Sequence, residues 1–157
     1  MIRFVGGLAL ALWAAVSSAA AQNFLPAVIF DMGGKFDKSF NEAAYNGAER
    51  FKKETGIDYL EFEVTQEAQR EQAMQRMARR GANVIVVLGF QNGTPLKKVA
   101  AENPNSKFTI IDAVVDLPNV QSVIFKEHEG SFLVGMAAAL ASKTGKVGFV
   151  GGMDIPL

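Results

Sequence analysis

Three short segments concentrate the side chains able to do chemistry, and each directly follows an apolar run. Asp31-Met-Gly-Gly-Lys-Phe-Asp-Lys-Ser-Phe-Asn41 follows residues 27–30, Gly89-Phe-Gln-Asn-Gly93 follows residues 84–88, and Asp112 follows residues 108–111. Asp31 and Asp112 are each the first polar residue after such a run. An ionised carboxylate there accepts hydrogen bonds from ligand hydroxyl groups, or it caps the backbone amides of its own loop. Phe40 offers a face for stacking on a planar ligand, and Asn41 can both donate and accept; the alternative is a core phenylalanine beside a helix-start asparagine. Phe90 poses a similar choice, a loop aromatic at a strand end or a lid over the core. The candidate ligand-binding residues are therefore Asp31, Phe40, Asn41, Gly89, Phe90 and Asp112.

This inventory supports binding and gives little to catalysis. His128, Glu129 and Ser131 lie too close in sequence to act as base and nucleophile, and Ser131 lacks the G-x-S-x-G turn. They read as the opening of a helix. Gly33-Gly34 and Gly151-Gly152 fit neither G-x-x-x-x-G-K-[ST] nor G-x-G-x-x-G, so tight turns are their expected role. With no cysteine and one histidine, the chain has no thiol nucleophile, no thiolate metal site and no multi-histidine site. We expect no enzyme activity, no metal and no cofactor. Sixteen basic residues balance sixteen acidic ones, which argues against nucleic acid as the main partner. Arg70, Arg76, Arg79 and Arg80 are expected on a solvated face and helix end, with a partner-docking surface as the alternative.

The elements that must position these residues follow from punctuation and period. Residues 27–30 and 84–88 are short apolar runs suited to buried parallel strands; residues 108–111, 120–125 and 147–150 are expected as strands too, and residues 57–64 suit a more exposed strand. Ser39-Phe-Asn-Glu42 has the spacing of a capping box, opening a helix that runs to Thr55 and stops at Gly56. Thr65 should cap a helix over 66–80, ended by Gly81, and Thr94-Pro95 should open a short helix ending near Asn103-Pro104. A last helix is expected over 129–143, with small residues at Ala137-Ala138-Ala139 letting it sit close to a sheet. Strands alternating with helices predict an α/β fold, a doubly wound parallel sheet of flavodoxin-like order near 2-1-3-4-5 covered on both faces. Ligands of such sheets bind beyond the carboxyl ends of the strands, where the three segments converge.

The two ends carry expectations of their own. Arg3, an apolar stretch from Phe4 to Val16 and Ala19-Ala20-Ala21 make a secretory signal peptide, residues 1–21, cleaved after Ala21. The stretch is shorter than a membrane-spanning helix. The other end, Gly-Gly-Met-Asp-Ile-Pro-Leu157, follows an apolar run directly and reads as a chain interrupted within a connection.

Taken together, the motifs resemble the basic membrane protein family, which includes the purine nucleoside receptors of ABC importers. The segment from Asp31 to Asn41 is similar to that family's D-x-G-G-x-x-D-x-S-F-N signature, and the resemblance continues through Ala44, Gly47, Gly89-Phe90, Glu129-Gly-Ser-Phe-Leu133, Gly135 and Val147-Gly-Phe-Val-Gly-Gly-Met-Asp-Ile-Pro156. It implies a type I periplasmic-binding-protein fold of two lobes, with residues 22–157 as the N-terminal lobe and the second lobe absent. It further implies that the aromatic matching Phe40 stacks on the base beside the polar Asn41, that carboxylates matching Asp31 and Asp112 bind polar ligand edges, and that Gly89 and Phe90 line the cleft. The expected partners are a purine nucleoside and an inner-membrane ABC permease, for a periplasmic monomer. Two departures stand out: many members carry a lipid-anchored cysteine after the signal, which this chain lacks, and members are about twice as long. The alternatives are a ligand-sensing regulatory domain of the same fold, or a fragment with no function of its own.

Overall fold

A computed structural model describes residues 24–151. The expected signal peptide and Gly152–Leu157 lie outside the described residues. Five strands form one parallel sheet: β1 Pro26–Phe30, β2 Leu60–Glu63, β3 Val84–Leu88, β4 Lys107–Ile111 and β5 Val120–Val123, in the order β2-β1-β3-β4-β5. This is the order the alternation of elements predicts. Helix α1 (Phe40–Thr55) connects β1 to β2, α2 (Gln69–Arg79) connects β2 to β3, and α3 (Gly93–Glu102) connects β3 to β4.

Strand alternation splits the core between the two faces. On one face Ala27, Ile29, Ile85, Val87, Phe108 and Ile110 pack with Met74 and Met77 of α2 and with Leu96 and Val99 of α3. On the other, Val28, Phe30 and Leu88 pack with Phe40, Ala44, Tyr45 and Ala48 of α1. All five residues of β1 are buried, as its place beside two neighbours requires. Strand β2 lies at the edge and exposes Glu61 and Glu63.

Helix α1 ends as the sequence predicts: Gly56 is left-handed (φ 72°) and its N–H donates to the Lys52 carbonyl at 2.8 Å. Its start differs. Ser39 makes no side-chain capping bond. Asp37 caps instead: Oδ1 accepts from the Ser39 and Glu42 amides at 2.8 and 3.1 Å, and Oδ2 from the Asn41 amide at 3.1 Å. Glu42 reaches back to the Lys38 amide (3.0 Å), one place earlier than a Ser39 capping box would direct it. A carboxylate takes several amides at once, which a single hydroxyl cannot. Helix α2 likewise starts three residues after its expected point. The Gln69 side chain folds back onto the Thr65 and Gln66 amides and fixes a turn there. Helix α3 begins at Gly93, one residue before the expected Thr94 cap, because the turn Phe90–Asn92 leads straight into it.

The chain departs from expectation after β5. The last helix, α4, spans Glu127–Ala141 and buries none of its residues. Ala137, Ala138 and Ala139 are exposed and do not seat the helix on the sheet. Apolar side chains ring α4 rather than lining one face, with Phe132, Leu133, Val134 and Leu140 all exposed, so no polar side opposes an inward one. Residues 147–150 form no strand, and Phe149 and Val150 are almost fully exposed. A strand needs a neighbour to take its amides and carbonyls, and none is present among the described residues. The packed α/β unit therefore runs from β1 to β5.

The α1 cap gives a direct test. Asp37→Ala should lower the melting temperature measurably, whereas Ser39→Ala should leave it nearly unchanged. Burial pushes the Asp37 carboxyl up, yet the amides of Asn41, Glu42 and Ser39 together with the Asn41 side chain outweigh it and hold its pKa below the ordinary value. Its stabilisation is therefore present above the unfolded carboxylate range and is lost as pH falls through the lowered folded value, so the two variants should converge with wild type in acid.

Candidate functional site

The sheet register brings the three strand ends together. Ile29 pairs with Val87 and Leu88 with Ile111, so the next positions place Asp31 beside Gly89 and Gly89 beside Asp112. The Gly89 amide donates to the Ile111 carbonyl (3.0 Å) and the Asp112 amide to the Val123 carbonyl (2.8 Å), continuing the ladder past the strands. Two carboxylates thus flank a glycine at one edge of the sheet.

Asp31 is held by both its backbone and its side chain. Asn41, almost fully buried, accepts from the Asp31 amide at 2.9 Å and donates to the Asp31 carbonyl at 3.2 Å. Its second amide hydrogen goes to Asp37 Oδ2 at 3.2 Å. Both Asn41 donors are therefore spent on fixing the loop. Asp31 Oδ1 accepts from the Met32 amide at 2.8 Å and from Arg70 Nη1 at 2.6 Å. The loop between them turns through Gly33 and Gly34, at φ 113° and 78°, and is tied to the edge strand: the Lys35 amide donates to Glu63 (2.9 Å) and its ammonium pairs with Glu61. The acidic residues of β2 thus anchor the loop.

Arg70 corrects the expectation of a solvated arginine face. Arg76, Arg79 and Arg80 are exposed, but Arg70 retains only 1% exposure. Its guanidinium is matched on three sides: Nε and Nη2 to Glu67 (2.6 and 3.0 Å), Nη1 to Asp31, and Nη2 to the Gln91 Oε1 at 2.5 Å. Burial disfavours its charge, yet the bonds to Glu67 and Asp31 outweigh that and raise its pKa above the ordinary value. The sequence did hold a signal: Arg70 lies on the stripe of Ala73, Met74 and Met77 that faces the core.

Gly89 sits at φ 91°, and a Cβ there would overlap Asp31 Oδ2 and stand 3.0 Å from its Cγ. Only glycine permits this approach. Asp112 is half-buried in a left-handed conformation (φ 73°), and its carboxylate takes no hydrogen bond among the described residues. Burial, and secondarily the charge of Glu127, pushes its pKa up. Phe90 is half-buried against the core, and with Asp112 it lines an open cavity of about 1090 Å3 that Lys97, Phe125 and His128 also border. Asp31, Phe40, Asn41 and Gly89 lie outside that lining. Phe40 is half-buried on the α1 side, against Phe30 and Leu88. The edge can accept hydrogen bonds from a ligand at Asp31 Oδ2 and Asp112. No cluster suited to a metal occurs among the described residues, and no described helix is long and apolar enough to cross a membrane.

Comparison with known proteins gives a consistent picture. The family model described as ABC transporter substrate-binding protein PnrA-like matches residues 24–157. The chain is 35% identical over 140 residues to the CD4+ T-cell-stimulating antigen of Listeria monocytogenes, covering 85% of this chain and 39% of that protein. It is 34% identical over 133 residues to the ABC transporter nucleoside-binding protein BmpA of Lactococcus lactis, covering 82% of this chain and 38% of that one. The solved solute-binding protein of an ABC transporter system from Aeropyrum pernix K1 is similar with a TM-score of 0.69 and 38% identity, over 74% of this chain and 32% of that chain. The chain spans about two fifths of the length of the curated relatives it matches.

Two outcomes follow from the geometry. Gly89→Ala should cost about 1–3 kcal/mol from its positive-φ extended backbone alone, read by denaturant unfolding, and should displace Asp31. Asp112→Asn should stabilise the ligand-free protein at pH 7 by on the order of 1 kcal/mol, because it removes an unpaired half-buried charge. Since the folded Asp112 pKa lies above its unfolded value, this advantage should shrink as pH falls through the raised value and vanish below the unfolded one.

Proposed function

The chain belongs to the PnrA-like family of ABC transporter substrate-binding proteins, and on that premise we propose that it supplies one wall of a cleft that binds a purine nucleoside for import. The observation that carries the reading is the in-register row Asp31, Gly89 and Asp112, with acceptor capacity left over on both carboxylates. A nucleoside suits such a row. It is neutral, and it presents hydroxyl and N–H donors to carboxylates that accept only. Phe40 and Phe90 are the aromatics available to its planar base, and Asn41 acts by holding the Asp31 backbone. The nucleoside-binding name of the similar Lactococcus lactis protein supports this choice of solute.

In this reading the chain is exported, loses residues 1–21 in the periplasm and delivers its solute to an inner-membrane permease. It has no enzymatic role. In this reading the first lobe ends after β5 rather than at residue 157, and helix α4 with residues 147–150 begins a second lobe: an apolar helix with no buried residue requires a layer to cover it, and the sheet of the first lobe does not provide one. One lobe presents donors and acceptors but cannot enclose a ligand, and pockets usually bury most of a small ligand's surface.

Calorimetry of the full-length protein with inosine, adenosine and guanosine tests this. Saturable binding of at least one is expected, weakened about tenfold or more by Asp31→Ala or Asp112→Ala, since hydrogen bonds to charged groups contribute about 1.5–3 kcal/mol. Residues 22–157 alone should bind far more weakly. Absence of heat with all three would remove the nucleoside assignment.

A further inference from the structure

Arg70 does not need to touch a solute to shape the site. Its guanidinium and the Met32 amide together occupy Asp31 Oδ1, at 2.6 and 2.8 Å. Asp31 Oδ2 accepts nothing among the described residues and lies against Gly89, where no side chain can intervene. A free carboxylate rotates and offers either oxygen; this one is pinned at one oxygen by two donors. The same guanidinium bonds to Gln91, two residues past Gly89, and so couples the β1 and β3 strand ends. With 1% exposure, Arg70 has little freedom to release Asp31.

We propose that Arg70 is a positioning residue that fixes Asp31 Oδ2 over Gly89 as an acceptor, so that the site selects solutes presenting an N–H or O–H donor at that point. The inference rests on the nucleoside-binding reading above. It assigns to Arg70 a role in selectivity, beyond a share in stability.

The test uses the full-length protein and five probes: inosine, 1-methylinosine, 2′-deoxyinosine, 3′-deoxyinosine and 5′-deoxyinosine, four of which each lack one donor. Affinities relative to inosine define four penalties in the wild type. Asp31→Ala identifies the penalty that depends on Asp31, because that one collapses. Arg70→Met is expected to shrink the same penalty by about tenfold or more, while changing the other three by less than about twofold. Arg70→Lys, which keeps a single donor, should restore part of it and reports on the proposal if Arg70→Met does not fold. Preserved penalties in either folded variant, or an equal loss of affinity for all five probes, would overturn the proposal and leave the nucleoside reading intact. A wild type that binds inosine and all four analogues equally would overturn this inference alone, whereas one that binds none of them, nor adenosine or guanosine, would remove the nucleoside reading and this inference together.

Discussion

A guanidinium taken out of water must have its charge and donors matched where it lies, and the site edge of this protein is arranged around one such match. Arg70 reaches from the core stripe of α2 to the end of β1, where Asp31 receives it. Removing Asp31 would leave Nη1 of the buried guanidinium without its partner and Glu67 as its one remaining carboxylate, a larger cost than the net worth of the pair. Asp31 is therefore fixed, and its neighbours follow. Asn41 holds its backbone, Asp37 holds Asn41 and caps α1, and Gly89 must remain a glycine to admit its second oxygen. One ion pair thus links a helix start, two strand ends and the loop between them.

The two aspartates of the row illustrate opposite solutions to the same burial. Asp31 is matched by the protein and keeps one acceptor oxygen in reserve. Asp112 is matched by nothing among the described residues, sits in a left-handed backbone conformation and is disfavoured as an anion. Groups left in that condition are found where a ligand completes them, and strain of this kind gathers at such positions. The proposed cleft wall therefore combines a preset acceptor with one whose cost a bound donor relieves.

Much of this was legible in the sequence because local signals agreed with the fold. The apolar runs at 27–30, 84–88 and 108–111 are the central strands, Gly56 ends its helix, and Asp31, Gly89 and Asp112 end adjacent strands. What was missed involves competition between neighbours or distant partners. Asp37 displaced Ser39 as the cap because it sits two residues earlier with two acceptor oxygens. Gln69 delayed α2 by folding back on its own approach. Arg70 lay on the apolar stripe, but its burial depends on Asp31, 39 residues away, which no local pattern encodes. Helix α4 and residues 147–150 carry correct local signals, yet a helix or strand packs only where a partner surface exists.

A crystal structure of the full-length protein with inosine tests the central claim most directly. The account predicts inosine donors within about 3.2 Å of Asp31 Oδ2 and of the Asp112 carboxylate, with Arg70 still bound to Asp31 Oδ1. Inosine seated elsewhere, with both carboxylates open to water, would contradict it.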